Sequence, residues 1–220
     1  PGAVKIQIRD GEQTVASAKK TSEKRVSEKN SSRESKAVFL VEIPDAKLWS
    51  PDSPHLYTVN ATFGNDQVTE HFGVRTLHWN EREGMTINGK RVILRGACVH
   101  HDNGLLGACT FPEAEERKVR ILKENGYNAI RSAHYPCSKA LLDACDRQGM
   151  LMMDEYVDVW YIHKTKYDYA TELKEWWKQD LKDMVEKDFN HPSVIMYSTG
   201  NEVAETAQKK GIAFTRCMTE

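Results

Sequence analysis

Four clusters of polar residues follow four short apolar runs in the second half of the chain. The clusters are His100-His101-Asp102, Arg131 with His134 and Tyr135, Asp154-Glu155, and Asn201-Glu202. Carboxyl groups and imidazoles can transfer protons, and amides and guanidinium groups can orient a polar ligand. The residue types therefore indicate a site for acid–base chemistry, but they do not name the reaction.

The elements that must position these clusters alternate between strand and helix patterns. Strands are predicted over 91–99, 127–131, 150–154 and 193–198, and helices from Pro112 to Asn125, from Ser138 to Gly149, and over 171–188. This order is typical of a parallel sheet with right-handed crossovers. Because the carboxyl ends of parallel strands meet at one edge, the four clusters should converge there.

The first 80 residues have a different character. Strands are predicted over 4–9, 14–18, 37–43, 56–63 and 67–72, and turn residues separate them. This spacing favours a small β-sandwich. The charged, Ser-rich stretch 19–36 is interpreted as a solvated loop or an edge strand. Asn88-Gly89 predicts a hairpin between 85–87 and 91–94, since both central residues of a type I′ turn need positive φ.

Composition excludes several classes of function. The 220 residues carry a formal net charge of −1, so no electrostatic argument favours nucleic acid or an anionic membrane as a partner. Nucleotide-binding glycine loops and a nucleophile elbow do not occur in the sequence. Five irregularly spaced cysteines predict neither a disulfide framework nor a zinc ribbon. Metal-dependent hydrolysis stays open, with ligands drawn from His100, His101, Asp102, His134 and Glu202.

Three motifs carry a resemblance to a known family. Residues 95–102 (RGACVHHD), 128–136 (NAIRSAHYP) and 190–202 (NHPSVIMYSTGNE) resemble the first, second and fourth barrel strands of glycoside hydrolase family 2. Residues 48–57 and 72–75 are similar to the end of the preceding domain in that family. The resemblance implies a multidomain β plus α/β chain. An immunoglobulin-like β-sandwich (1–78) would precede the first half of a (β/α)8 TIM barrel (79–220).

The resemblance also implies roles for individual residues. Glu202 would be the acid/base of a retaining β-glycosidase, most similar to bacterial β-galactosidases, and Asn201 would bind the sugar 2-hydroxyl. His100 and His134 would bind other hydroxyls, and Arg131 would position a carboxylate, expected to be the nucleophile. Asp102 and Trp160 complete the predicted substrate-binding set. Asp154 and Glu155 are expected to support these residues rather than to touch substrate.

The resemblance implies limits as well. The family's nucleophile comes from the seventh strand, so we expect an internal fragment that is inactive alone. In some relatives an acidic residue and a histidine bind magnesium, and Asp158 and Trp160 stand at those positions here. No cofactor is expected to be required, and a divalent cation in the parent enzyme stays open without support from these residues. A carbohydrate partner, a homo-oligomeric parent enzyme and a bacterial cytoplasmic location are expected. β-Glucuronidase, β-mannosidase and a non-catalytic carbohydrate-binding module stay open as alternatives.

Overall fold

A computed structural model describes residues 2–21 and 37–220. The first domain contributes a four-stranded antiparallel sheet in the order β2-β1-β3-β4. Its strands are β1 (Ala3–Asp10), β2 (Gln13–Thr21), β3 (Tyr57–Phe63) and β4 (Asp66–Phe72). Four of the five strands predicted for this region are therefore confirmed, with ends within three residues of the predicted ones.

The fifth prediction, a strand over 37–43, is wrong. These residues alternate in exposure, and Leu40 is fully exposed, but no strand is assigned there. An alternating pattern specifies one buried face, whereas a strand also needs a neighbour for its backbone hydrogen bonds. Within the described part of the chain, 37–43 has no such neighbour. The predicted loop at 19–36 falls largely on residues 22–36, outside the described residues.

A three-stranded antiparallel sheet links the two domains. It contains β5 (Leu77–Asn80), β6 (Gly84–Ile87) and β7 (Lys90–Arg91). The hairpin turn is confirmed, because Asn88 has φ 52° and Gly89 has φ 75°. The single strand predicted over 91–99 is wrong in extent. It is interrupted at 92–95, where the Arg95 N–H donates to the Asn128 side chain at 2.7 Å instead of to a neighbouring strand.

The second domain is a four-stranded parallel sheet in the order β11-β10-β9-β8, with helices between successive strands. Its elements are β8 (Gly96–His100), α1 (Pro112–Glu124), β9 (Ala129–Ala133), α2 (Lys139–Gln148), β10 (Leu151–Glu155), α3 (Ala170–Asp188), β11 (Val194–Ser198) and α4 (Lys209–Thr219), with short 3-10 turns at Gly104–Leu106 and Ala204–Ala207. The predicted strand–helix alternation is confirmed. Among the helices of residues 2–21 and 37–220, none combines the length and apolar character that crossing a bilayer requires.

The main core lies between this sheet and the first two helices. Val119, Leu142 and Cys145 contribute from the helices, and Ile130 and Met152 from the strands, all 2% exposed or less. Side chains alternate across a strand, so Arg131 and Glu155 point to the opposite face of the sheet. Burial of one face of each strand therefore fixes which polar residues face the inside of the barrel.

The first domain docks at the amino ends of the parallel strands. The indole N–H of Trp49, a fully buried side chain, donates to the Asp146 carbonyl oxygen at 2.9 Å. The Arg75 guanidinium donates to the carbonyl oxygens of Pro192 and Val194 at 2.5 and 2.6 Å. These bonds satisfy backbone acceptors that precede or begin β10 and β11. The interface therefore leaves the carboxyl ends of the strands free.

A buried charge cluster lies between the sheet and α3. Asp154 and Asp188 are at most 1% exposed, and Lys187 contacts both carboxylates. Burial, together with the nearby Asp154 charge, raises the pKa of Asp188 to about 6. A carboxyl group whose pKa is higher in the folded than in the unfolded state weakens folding once it ionises.

We therefore expect Asp188→Asn to gain stability relative to the wild type as pH rises from 4.5 to 7. Near pH 4.5 the wild-type carboxyl is protonated and resembles the amide, whereas at pH 7 it bears the cost of a buried charge. The relative gain should be on the order of 1–3 kcal/mol. Thermal unfolding at both pH values measures it, with Asp183→Asn on the exposed side of the same helix as control. A melting-temperature difference that does not change with pH would contradict this assignment.

Candidate active site

Strand register brings the inward-facing residues of β8, β9 and β10 together. Cys98 pairs with Arg131 across β8 and β9, and Arg131 pairs with Met153 across β9 and β10. Glu155 follows two residues after Met153 and therefore faces the same side. The two predicted clusters that contain Arg131 and Glu155 thus meet at the carboxyl end of the sheet.

Glu155 is the centre of this site and is 0% exposed. Its Oε2 accepts from Arg131 Nε at 2.7 Å and from Ser198 Oγ at 2.6 Å, with a further bond from Arg131 Nη2. Its Oε1 accepts from His134 Nδ1 at 2.6 Å. A buried carboxylate needs such partners, and they fix its position in turn.

The partner of Arg131 differs from the one expected. The resemblance implied that Arg131 positions the nucleophilic carboxylate; within the described residues the carboxylate that it holds is Glu155. Burial lowers the pKa of Arg131, but the hydrogen bonds that it donates to the Glu155 carboxylate outweigh this effect, so its pKa lies above the ordinary value. Arg131 is therefore a fixed cation that also donates to the Asn201 side-chain oxygen at 2.9 Å.

Asn201 is held from two sides. Its Oδ1 accepts from Arg131, and its Nδ2 donates to Asp158 Oδ1 at 2.9 Å. These opposite bonds assign the oxygen and the nitrogen of the amide. Partial burial raises the pKa of Asp158, but hydrogen bonds from Asn201 and Lys164 outweigh this effect and lower it overall.

Glu202, the residue after Asn201, differs from Glu155 in exposure and in hydrogen bonding. It is exposed, and its backbone lies in the left-handed region with φ 46°. Among the residues that the structure describes, its carboxyl group has no hydrogen-bond partner. A carboxyl group that is open to a ligand can exchange a proton with it, whereas one enclosed by hydrogen-bond donors, such as Glu155, cannot reach the ligand.

The two histidines predicted to bind hydroxyls lie next to each other. The His100 and His134 ring centroids are 5.1 Å apart, at an interplanar angle of 89°. Because His134 Nδ1 bonds to Glu155, its Nε2 is the nitrogen left for a ligand. Both predicted residues therefore belong to the same mouth as Arg131 and Asn201.

Asp102 and Trp160 both bond to backbone groups of the protein, and a substrate contact by Asp102 stays a prediction. The Asp102 carboxylate accepts from the Gly104 backbone N–H at 2.8 Å and closes a local turn. Trp160 is 1% exposed, and its indole N–H donates to the Thr199 carbonyl oxygen at 2.9 Å. The prediction that Trp160 binds sugar is corrected, because its ring packs edge-on against Phe214 within a core cluster.

Trp160 instead packs against the backbone that carries Asn201. A Cβ atom added to Gly200 would lie 2.8 Å from Trp160 Nε1, too close for any larger residue to fit without a shift. The glycine before Asn201 therefore lets the backbone rest directly on the indole. This contact fixes the position of the backbone that leads from β11 to Asn201 and Glu202.

The residues at the place where the resemblance suggested a magnesium site do not fit that ion. Lys164 Nζ donates to Asp158 Oδ1 at 3.0 Å, where a cation would be bound, and Trp160 offers no ligand atom. The residues proposed as ligands for metal-dependent hydrolysis are not brought together as a metal site within the described part of the chain. The only triad there with ligand atoms close enough to share an ion is Asp143, Asp146 and His191, at the domain interface.

Comparison with known proteins identifies the family. The family model "Glycosyl hydrolases family 2, TIM barrel domain" matches residues 80–218, and the model "Glycosyl hydrolases family 2" matches residues 2–75. The chain belongs to glycosyl hydrolase family 2. The predicted fold class is thereby confirmed as an immunoglobulin-like domain followed by the start of a TIM barrel. The predicted domain boundary at 78/79 stays a prediction.

Two curated relatives show how similar the chain is to known proteins. Beta-galactosidase BoGH2A of Bacteroides ovatus is 43% identical over 204 residues, which are 87% of this chain and 24% of that protein. A beta-glucuronidase of Bacteroides fragilis is 32% identical over 176 residues, 76% of this chain and 25% of the relative. The chain thus spans about a quarter of the length of these curated relatives.

A solved structure gives the same result. A family 2 member from Bacteroides cellulosilyticus superimposes with a TM-score of 0.89 at 39% identity. The match covers 99% of this chain and 28% of that one. The arrangement of both domains is therefore that of family 2.

Sequence reasoning missed two participants in the site, Lys164 and Ser198. Ser198 ends β11, and its position at a strand end was the signal that could have identified it. Lys164 lies in a charged loop with no distinguishing pattern. Its contacts with Asp158 and Asn201 join residues 6 and 37 positions apart, which no local signal encodes.

Proposed function

We propose that this protein hydrolyses terminal β-glycosidic bonds with retention of configuration, with Glu202 as the acid/base. The observation that carries the proposal is the open Glu202 carboxyl group beside an Asn201 amide held by Arg131 and Asp158. Glu202 would protonate the leaving oxygen and then activate the water. The Asn201 N–H not used by Asp158 would bind the sugar 2-hydroxyl.

Retaining hydrolysis also needs a nucleophilic carboxylate about 5 Å from the acid/base. Glu155 is a poor candidate, because it is 0% exposed and its oxygens accept from Arg131, His134 and Ser198. We propose that the nucleophile is supplied from outside these 220 residues. The chain spans only about a quarter of the length of these relatives, which supports a nucleophile from another part of the protein.

We propose β-D-galactosides as the substrates. BoGH2A, called a beta-galactosidase, has 43% identity, against 36% and 32% for two relatives called putative beta-glucuronidase and beta-glucuronidase. A glucuronide carries a carboxylate that needs a cation. Two cations at this mouth, Arg131 and Lys164, already pair with Glu155 and Asp158.

The test uses the product of the complete reading frame that contains this sequence. Nitrophenyl β-D-galactoside, glucuronide and mannoside are compared, and the first-formed anomer is followed by NMR. We expect the highest kcat/KM for the galactoside and a β-anomeric product. Preference for the glucuronide would overturn the sugar assignment, an α-anomeric product would overturn retention, and no turnover of any substrate would support a binding module.

A further inference from the structure

We propose that Lys164 is a positioning residue for the acid/base: its ammonium group fixes the peptide between Asn201 and Glu202, where a divalent cation does not fit. The inference rests on the proposed function. Lys164 Nζ donates to the Asn201 backbone oxygen at 2.7 Å and to Asp158 Oδ1 at 3.0 Å. One side chain thus contacts both the backbone and the side-chain partner of Asn201.

Three hydrogen bonds form a closed ring around Asn201. Its amide donates to Asp158, Lys164 donates to the same Asp158 oxygen, and Lys164 donates back to the Asn201 carbonyl oxygen. The ring ties the loop after β10 to the loop after β11. Neither the Asn201 side chain nor its carbonyl group can rotate without breaking a bond that involves a charged group.

The carbonyl group held by Lys164 belongs to the peptide that leads into Glu202. That residue has φ 46°, a left-handed conformation that residues with a Cβ rarely adopt and that their surroundings must impose. Rotation of this peptide would change the direction of the Glu202 side chain. Lys164 therefore acts on the acid/base through the backbone, without touching substrate.

The loop that carries Lys164 is itself fixed. The Asp168 carboxylate accepts from the backbone N–H groups of Lys164, Thr165 and Ala170 at 2.6–3.1 Å. The hydrogen bond from the Thr165 backbone is the main reason that the pKa of Asp168 is only about 2. The lysine therefore reaches the Asn201 carbonyl from a rigid base, so little freedom is lost when the bond forms.

The test compares Lys164→Ala, Lys164→Arg and the wild type in the complete product. Two galactosides serve as substrates. One has a poor leaving group, an alkyl alcohol, and the other has a good leaving group, 2,4-dinitrophenol, which needs little protonation. We expect Lys164→Ala to lower kcat for the alkyl galactoside on the order of 10–100-fold. The effect on the glycosylation rate of the dinitrophenyl galactoside should be several-fold smaller. Lys166→Ala, an exposed lysine of the same loop, is the matched control.

Two further measurements separate positioning from folding. Propylammonium added to Lys164→Ala should restore part of the lost rate, Lys164→Arg should retain most of it, and EDTA should not change the wild type. Equal losses on both substrates without amine rescue, or wild-type activity that EDTA removes and Mg²⁺ restores, would overturn the inference. Absence of wild-type turnover on every glycoside would instead refute the proposed function.

Discussion

Glu202→Gln is expected to lower kcat/KM for a galactoside with an alkyl leaving group by about 10³-fold, in the range that general acid–base catalysis contributes. The amide has nearly the same shape but cannot donate an acidic proton to the departing oxygen. Because the Glu202 carboxyl group is exposed and has no partner in the described residues, the substitution should leave stability unchanged.

The leaving group decides whether this loss reflects proton transfer. A dinitrophenyl galactoside should still form the glycosyl-enzyme rapidly in Glu202→Gln, and a burst should be followed by slow turnover, because the base for the second step is absent. Azide, a nucleophile that needs no base, should accelerate that second step and yield the β-galactosyl azide. Glu175→Gln on the exposed side of α3 is the control. Equal losses on both substrates and no azide effect would exclude Glu202 as the acid/base.

Glu155→Ala is expected to destabilise the protein by about 3–5 kcal/mol, because it leaves a partly buried guanidinium and its neighbours without their shared acceptor. Arg131, His134 and Ser198 all donate to this one carboxylate, which is 0% exposed. Loss of these bonds should also free the Asn201 amide through Arg131. Activity should therefore fall together with stability.

Urea and thermal unfolding of the complete product measure this effect. Glu155→Gln keeps the volume and one acceptor oxygen, so it should lose less stability than the alanine variant. Glu124→Gln removes an exposed helix ion pair with Arg120 and should cost about 0.5 kcal/mol or less. A Glu155→Ala variant within 1 kcal/mol of wild type would show that the site does not depend on this carboxylate, against the magnitude expected for a broken buried pair.

Most of the second domain could be predicted from the sequence because each of its elements has a local signal. Ser138 caps α2 by accepting from the Leu141 N–H, and the apolar run of β10 is buried on both faces. The strand predicted over 37–43 failed because pairing depends on a neighbour that exposure patterns do not specify. The interruption of the strand predicted over 91–99 has the same origin, since its cause is the distant Asn128.

The site was predicted in its residue types but not in its pairing. His100, Arg131, His134 and the strand-end carboxyl groups share a position at strand ends, which the sequence reveals. Which group is buried as an acceptor and which is open to a ligand depends on contacts between residues 21–70 positions apart. Trp160 shows what the sequence could not predict. Whether an aromatic residue in a loop packs in the core or binds a ligand depends on its surroundings in the fold.

The attachment of the first domain to the amino ends of the strands has a consequence for how this protein could diversify. Trp49 and Arg75 secure the side of the barrel opposite the mouth, through carbonyl oxygens that every sequence presents. Loops at the carboxyl ends of the strands can therefore be exchanged without changing the contacts between the two domains. A laboratory library confined to the loops after β8, β9 and β10, with His134, Asp158 and Lys164 kept, should preserve that junction while it samples new sugar preferences.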